Sequence, residues 1–175
     1  MAVISQGVAV VNFEVYEGGS DRLIGLAQVE LPNVEFETSD TKGNGIMGTI
    51  AMPVGPNLGS QELKLTWRNV EKESAGLIGF KSVDLSLYGA VNNIDAATGE
   101  MTVVQHRIET RVVPKTLELG KFEPSTTMDT ANTFEIITML YAIDNNTVLD
   151  YDKLNYKFVS NGVDYGSPVR TALGI

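Results

Sequence analysis

Residues 31–69, LPNVEFETSDTKGNGIMGTIAMPVGPNLGSQELKLTWRN, decide how this chain is read. They run as a strand, a glycine-rich loop, a strand rich in glycine and methionine, a second glycine/proline turn, and a strand ending on Trp67. Pro32 interrupts the strand before the loop, which marks an edge or a bulge there. No catalytic residue type clusters anywhere in the stretch. A hairpin this long with exposed backbone groups is an aggregation hazard unless something pairs with it, and another copy of the chain is the simplest partner. Residues 36–62 are therefore read as an extended inter-subunit hairpin arm. The opposing reading is a surface hairpin without a partner. That reading leaves unexplained why Ile46, Met47, Ile50 and Met52 sit among the glycines of an acidic chain.

Outward from the arm, alternation dominates. Val11, Phe13 and Val15 share a face opposite Asn12, Glu14 and Tyr16, and Leu63, Leu65 and Trp67 oppose Lys64, Thr66 and Arg68. Val83, Leu85 and Leu87 oppose Asp84, Ser86 and Tyr88, while Val104, His106, Ile108 and Val112 oppose Gln105, Arg107, Glu109 and Arg111. Each run has the period of two of a strand with one buried face. Phe134–Ala142 is apolar on both faces and is expected centrally or covered on both sides. Turn residues at 17–21, 144–146 and 160–162 separate the runs, as in a mostly antiparallel protein. One helix is expected over 70–80, capped by Asn69, with Glu71 and Glu73 favourable in its first turn and Val70, Leu77 and Ile78 as its apolar stripe.

The 175 residues carry no cysteine, one histidine and a net charge of −9. The length fits a single domain, residues 1–175, able to bury a core without disulfides or metal. Missing cysteines exclude disulfide frameworks, thiolate metal sites and cysteine nucleophiles. The start of the chain lacks the basic region of a signal peptide, and no apolar run approaches the ~20 residues of a membrane span, so no membrane anchor is expected. Residues 1–63 hold eight acidic and two basic side chains, residues 64–128 eight of each, and residues 129–175 six and three. A net-negative surface opposes phosphate binding. It serves ordinary solubility, or it forms a wall past which nucleic acid slides without sticking.

The chemistry sought is not found. GNGIMG (43–48) lacks the Lys and Ser/Thr of a phosphate loop and leads into a strand, not a helix, so no cofactor-binding site is expected. His106 reads as a satisfied core or interface histidine. Asp150 and Asp152 share a strand face without further oxygen ligands, so no metal site is expected. Basic residues do not interleave with aromatics as a nucleic-acid surface requires. No catalytic residues and no cofactors are assigned; the chain is read as a non-enzyme.

In order along the chain, VNFEVYEGG, AQVELPNVEFE, TKGNGIMG, MPVGPNLGSQELKLTW and the terminal ALGI resemble the major tail tube protein of contractile phage tails and related phage tail-like bacteriocins. The resemblance spans nearly the whole chain and is weakest over 81–128. It implies a mainly β fold of two packed antiparallel sheets, a sandwich or partial barrel, with one short helix. It implies hexameric rings that stack into a tube, each subunit adding strands to a continuous inner β-barrel. Gly43, Gly45, Ile46, Met47, Gly48, Ile50 and Met52 become the inter-subunit and inter-ring arm, and Glu35, Glu37 and Asp40 candidate acidic lumen or arm positions. The implied partners are further copies of the chain, a contractile sheath protein, a baseplate or tube initiator and a tape measure protein. DNA passes through without specific binding in a phage; in a bacteriocin the tube punctures an envelope. The implied location is a virion tail or released tail-like particle assembled in the bacterial cytoplasm. Two alternatives remain: a tube protein of a related contractile secretion machine, and a monomeric β-sandwich binding module.

Overall fold

The computed structural model describes residues 5–19 and 21–175. Its strands are β1 (Ser5–Glu17), β2 (Asp21–Arg22), β3 (Leu26–Glu30), β4 (Phe36–Thr41), β5 (Ile50–Leu58), β6 (Glu62–Trp67), β7 (Val83–Asp95), β8 (Met101–Glu118), β9 (Thr130–Ile143), β10 (Asn146–Asp152), β11 (Lys157–Ser160) and β12 (Val163–Asp164). Two short helices complete it, α1 (Lys72–Gly76) and α2 (Ser167–Leu173).

Ten strands form one antiparallel sheet in the order β12-β11-β10-β9-β8-β7-β1-β2, and β3 and β6 branch from it. The branch arises on β9. Its first half pairs with β6, Trp67 opposite Thr130 and Glu62 opposite Glu135, and its second half pairs with β10. β8 lines the other edge of β9 along its length, with register shifts at Arg111/Val112 and Pro114/Thr116 that bend the ladder where Pro114 offers no N–H. The β3–β6 wing can therefore fold over the β1–β7–β8 face, and the two layers are parts of one sheet.

The buried core lies between them. Val15, Leu63, Leu65, Trp67, Leu85, Leu87, Ile108, Val112, Phe134, Ile136, Met139 and Tyr151 form one cluster, with Leu77 of the segment after α1 closing it. The alternation of β6, β7 and β8 places these side chains inward as the sequence pattern requires, and the doubly apolar β9 is central. Val11 is an exception, 57% exposed, because the β1–β7 register shifts between Val10 and Asn12 and leaves it on the bulge.

Local turns follow residue chemistry. Asp144 and Asn145 both take positive φ in the β9–β10 turn, and Asn161 and Gly162 do so between β11 and β12, the conformation that Asn and Gly tolerate best. Gly18 and Gly19 do the same after β1, while Ser20 lies outside the described residues.

The helix expected over 70–80 is shorter, Lys72–Gly76, and Glu71 rather than Asn69 stands at its N-cap. Ser74 explains the change: its Oγ accepts the Glu71 N–H at 3.0 Å and donates to the Glu71 carbonyl at 2.9 Å. Asn69 instead accepts the Met128 N–H at 3.4 Å. Leu77 is buried but Ile78 is exposed, so the apolar stripe ends early. The Glu73 side chain, expected to favour the first turn, lies outside the described residues. The second helix, α2, is absent from the sequence reading, which took ALGI only as a landmark. Pro168 in its first turn and Gly174 at φ 75 bound it.

Candidate functional site

β4 and β5 pair only with each other, as a separate two-stranded sheet. Phe36 and Leu58 root this hairpin: they oppose each other, pack on the core, and Phe36 meets Phe158 edge-on at 5.2 Å. From Thr38 to Gly55 every side chain except Ile46 is exposed. Between Phe36 and Thr38 the register jumps from Leu58 to Pro53, leaving 54–57 bulged.

The root is held by polar contacts as well. The Gly59 N–H donates to the Glu35 carbonyl at 3.0 Å. Lys153 donates to the Gly59 carbonyl at 3.1 Å and to Glu135 at 2.9 Å. Ser60 Oγ donates to Glu135 at 2.6 Å, and the Gln61 N–H donates to it at 3.2 Å. Partial burial opposes ionisation of Glu135, but these donors together outweigh it and hold its carboxyl below the ordinary range.

All residues assigned to the arm from sequence fall on it. Gly43, Gly45, Ile46, Met47 and Gly48 form the tip, where Gly45 and Gly48 have φ of 89° and 113°. Met47 is fully exposed, and Ile50 and Met52 are half exposed. Register divides the remainder between faces: Ile50 opposes Thr41 and Met52 opposes Ser39, so these share a face with Glu37, whereas Asp40 opposes Ala51 on the other. Glu35 lies just before β4. The three acidic candidates are thus not one cluster.

A second exposed feature escaped the sequence reading. Along Ser5–Val15 the outer edge of β1 has no partner strand among the described residues, since β2 reaches only Tyr16 and Glu17. Val8, Val10 and Val11 of this strand are exposed, as are Met101 and Val103 at the same end of the sheet on β8, across β7. The run Val8–Val11 is as continuously apolar as a buried strand, so sequence alone could not reveal the exposure.

His106 lies half-buried, its Nδ1 2.7 Å from the Tyr141 hydroxyl, as a satisfied histidine should. Asp150 pairs with Lys157, and Asp152 accepts the N–H groups of Leu154 and Asn155 in a turn. Among the described residues no three His, Cys, Asp or Glu side chains group as metal ligands.

Two solved structures share this architecture. One, described as the sheath/tube terminator of an extracellular contractile injection system, PVC, in the extended state, matches 77% of this chain and 96% of its own at 14% identity and TM-score 0.52. The other, the PVC sheath-tube complex in the extended state, matches 77% of this chain and 90% of its own at 13% identity and TM-score 0.50. A comparison with curated proteins gave no significant match. The fold is that of proteins of contractile sheath–tube assemblies. Residues 8–174 match the family model described as phage tail tube protein FII, and the chain belongs to that family. It is a structural component of a tail tube.

Proposed function

We propose that the chain assembles as hexameric rings that stack into a hollow tube, with the β4–β5 arm bridging copies within and between rings. The observation that carries this is the edge of β1 along Ser5–Glu14, which pairs with no strand among the described residues and exposes Val8, Val10 and Val11, in a chain that also extends an arm exposing Met47, Ile50 and Met52. Exposed strand edges are sites of pairing, and closure across subunits into an inner β-barrel removes them. Gly43, Gly45 and Gly48 let backbone approach backbone at the arm tip, and methionines adapt to irregular apolar surfaces.

A contractile sheath protein covers the tube in this reading, supported by the sheath–tube description of the similar structures. A baseplate initiator nucleates it, a tape measure protein sets its length, and assembly takes place in the bacterial cytoplasm. Glu35, Glu37 and Asp40 place negative charge at the lumen or along the arm, so that DNA passes without sticking, or the empty tube punctures an envelope.

Negative-stain electron microscopy of the purified chain at high concentration tests the assembly. Hollow tubes or stacked rings with six-fold end views are expected; persistent monomers under nucleated conditions would overturn it.

A further inference from the structure

We propose that β4 of the arm adds as a further strand to the free edge of β1 in a neighbouring copy, so that two unpaired edges of the fold complete each other from one copy to the next. This rests on the reading that copies assemble through the arm, and it names the strand on which the arm lands.

Each partner lacks what the other offers. A two-stranded hairpin by itself is marginal in water. β4 and β5 pair only with each other, and their side chains are exposed from Thr38 onward to Gly55, Ile46 of the tip excepted. Pro53 and Pro56 remove donors from β5, so β4 carries the arm's uninterrupted edge. On the body, β1 leaves the stretch Ser5–Glu14 without a partner strand among the described residues.

The other free edges among the described residues are shorter, and most are blunted. β2 and β12 have two residues each and carry a charge. β3 ends on Glu30. β8 runs past β7 with Pro114, Lys115 and Glu118, and past β9 it offers only Met101–Val104. Between Ser5 and Phe13, β1 has neither a proline nor a charged residue. That neutrality matters because β4 is acidic, with Glu37 on one face and Asp40 on the other; an edge bearing Glu30 or Asp164 would repel it.

Geometry makes the contact intermolecular. Phe36 against Phe158 and Lys153 against the Gly59 carbonyl fix the arm root beside β10 and β11. In the sheet β11 stands five strand positions from β1, about 24 Å at the usual spacing. Phe36–Thr41 spans about 20 Å, too little to cross that distance and then lie along its own β1. Donor and acceptor thus lie toward opposite edges of one sheet, the arrangement of a heterologous contact that repeats around a ring. The register shifts at Gly7/Ala9 and Val10/Asn12 give β1 extra twist. A strand fixed in a neighbour's body follows such a twist poorly, whereas an arm packed only at its root can follow it. Strand addition draws affinity from main-chain hydrogen bonds and specificity from the side chains alternating beside them.

The test uses the acids of β4 and is read by sedimentation and electron microscopy. Val8→Glu/Val10→Glu brings like charge to Glu37 or Asp40 and is expected to raise the critical concentration for tube growth about tenfold or more. Val8→Lys/Val10→Lys, equally polar but opposite in sign, should raise it about threefold or less. Adding Glu37→Lys/Asp40→Lys to the glutamate variant should recover most of the loss. Monomer melting temperatures should stay close to wild type, because all four side chains are exposed. A glutamate variant that grows like wild type, equal impairment by glutamate and lysine, or no recovery on reversing β4 would each overturn this contact while leaving tube formation standing. Wild-type protein that never forms rings or tubes would instead overturn the assembly reading and this contact with it.

Discussion

Asn132→Ala strikes the polar link that ties α1 to the sheet inside the core. Trp67 Nε1 donates to Asn132 Oδ1 at 2.9 Å, and Asn132 Nδ2 donates to the Ser74 carbonyl at 3.1 Å. Trp67, Ser74 and Asn132 are all completely buried. Removing the amide orphans an indole N–H and a carbonyl where water cannot replace the partner, at about 1–3 kcal/mol each. The expected loss is about 3 kcal/mol or more, a fall in Tm of about 6–12 °C for a chain of this length. Trp67 is the only tryptophan, so its emission during urea unfolding reports this site directly. Trp67→Phe removes the same bond from the other side. Followed by circular dichroism, the double variant should lose less than the sum of the singles by about 1 kcal/mol. A fall of less than about 2 °C for Asn132→Ala would refute the view that this network holds the helix to the sheet, and strictly additive losses would show that Trp67 and Asn132 are not coupled across β6 and β9.

Replacing Gly43, Gly45 and Gly48 together by leucine should leave the body of the monomer folded, because no heavy atom lies within 4 Å of a Cβ at any of them and the strain of leucine at the positive φ of Gly45 and Gly48, about 1–3 kcal/mol each, falls on the exposed tip, yet block tube growth; normal tubes by electron microscopy would remove the arm tip from assembly. Gly120→Ala should lower stability by about 2 kcal/mol or more, since its Cβ would sit 1.9 Å from the Met128 carbonyl oxygen at a φ of +72°, and an unchanged thermal melt would contradict that geometry. Glu135 has a folded pKa below its unfolded value, so its stabilisation is fully present above the unfolded carboxylate value of about 4.3 and is lost as pH falls through the folded one. Glu135→Gln should therefore lose less stability than wild type between pH 7 and pH 3 in urea melts, and identical losses would show that Glu135 does not couple the arm root to protonation.

Much of the fold was readable because its determinants are local. The inward positions of Leu63, Leu65 and Trp67 follow from alternation, and the positive-φ turns at Asp144–Asn145 and Asn161–Gly162 from residue types that tolerate them. The arm was legible for a similar reason, since glycines and methionines between two strands leave few other structures open. What misled were residues whose environment depends on distant chain. Val8, Val10 and Val11 have the composition of a buried strand, but nothing among the described residues pairs the edge they occupy. Phe80 was absorbed into a longer helix, and Phe122 stood in the stretch where resemblance was weakest. Both are exposed because the chain around them turns away from the core, which no period reveals.

By itself the sequence determined a mainly β, antiparallel chain with a long apolar-faced arm, because strand period, turn residues and glycine spacing act over a few residues. Only the tertiary structure decided that β9 is shared between β6 and β10, splitting one sheet into two layers. That choice is a competition between distant strands for one edge, settled by burial of Trp67, Phe134 and Tyr151 together. It also put the arm root at the Glu62 end of the β6–β9 ladder and the contact of Arg68 with Met128 at the Trp67 end, and so gave the molecule its direction.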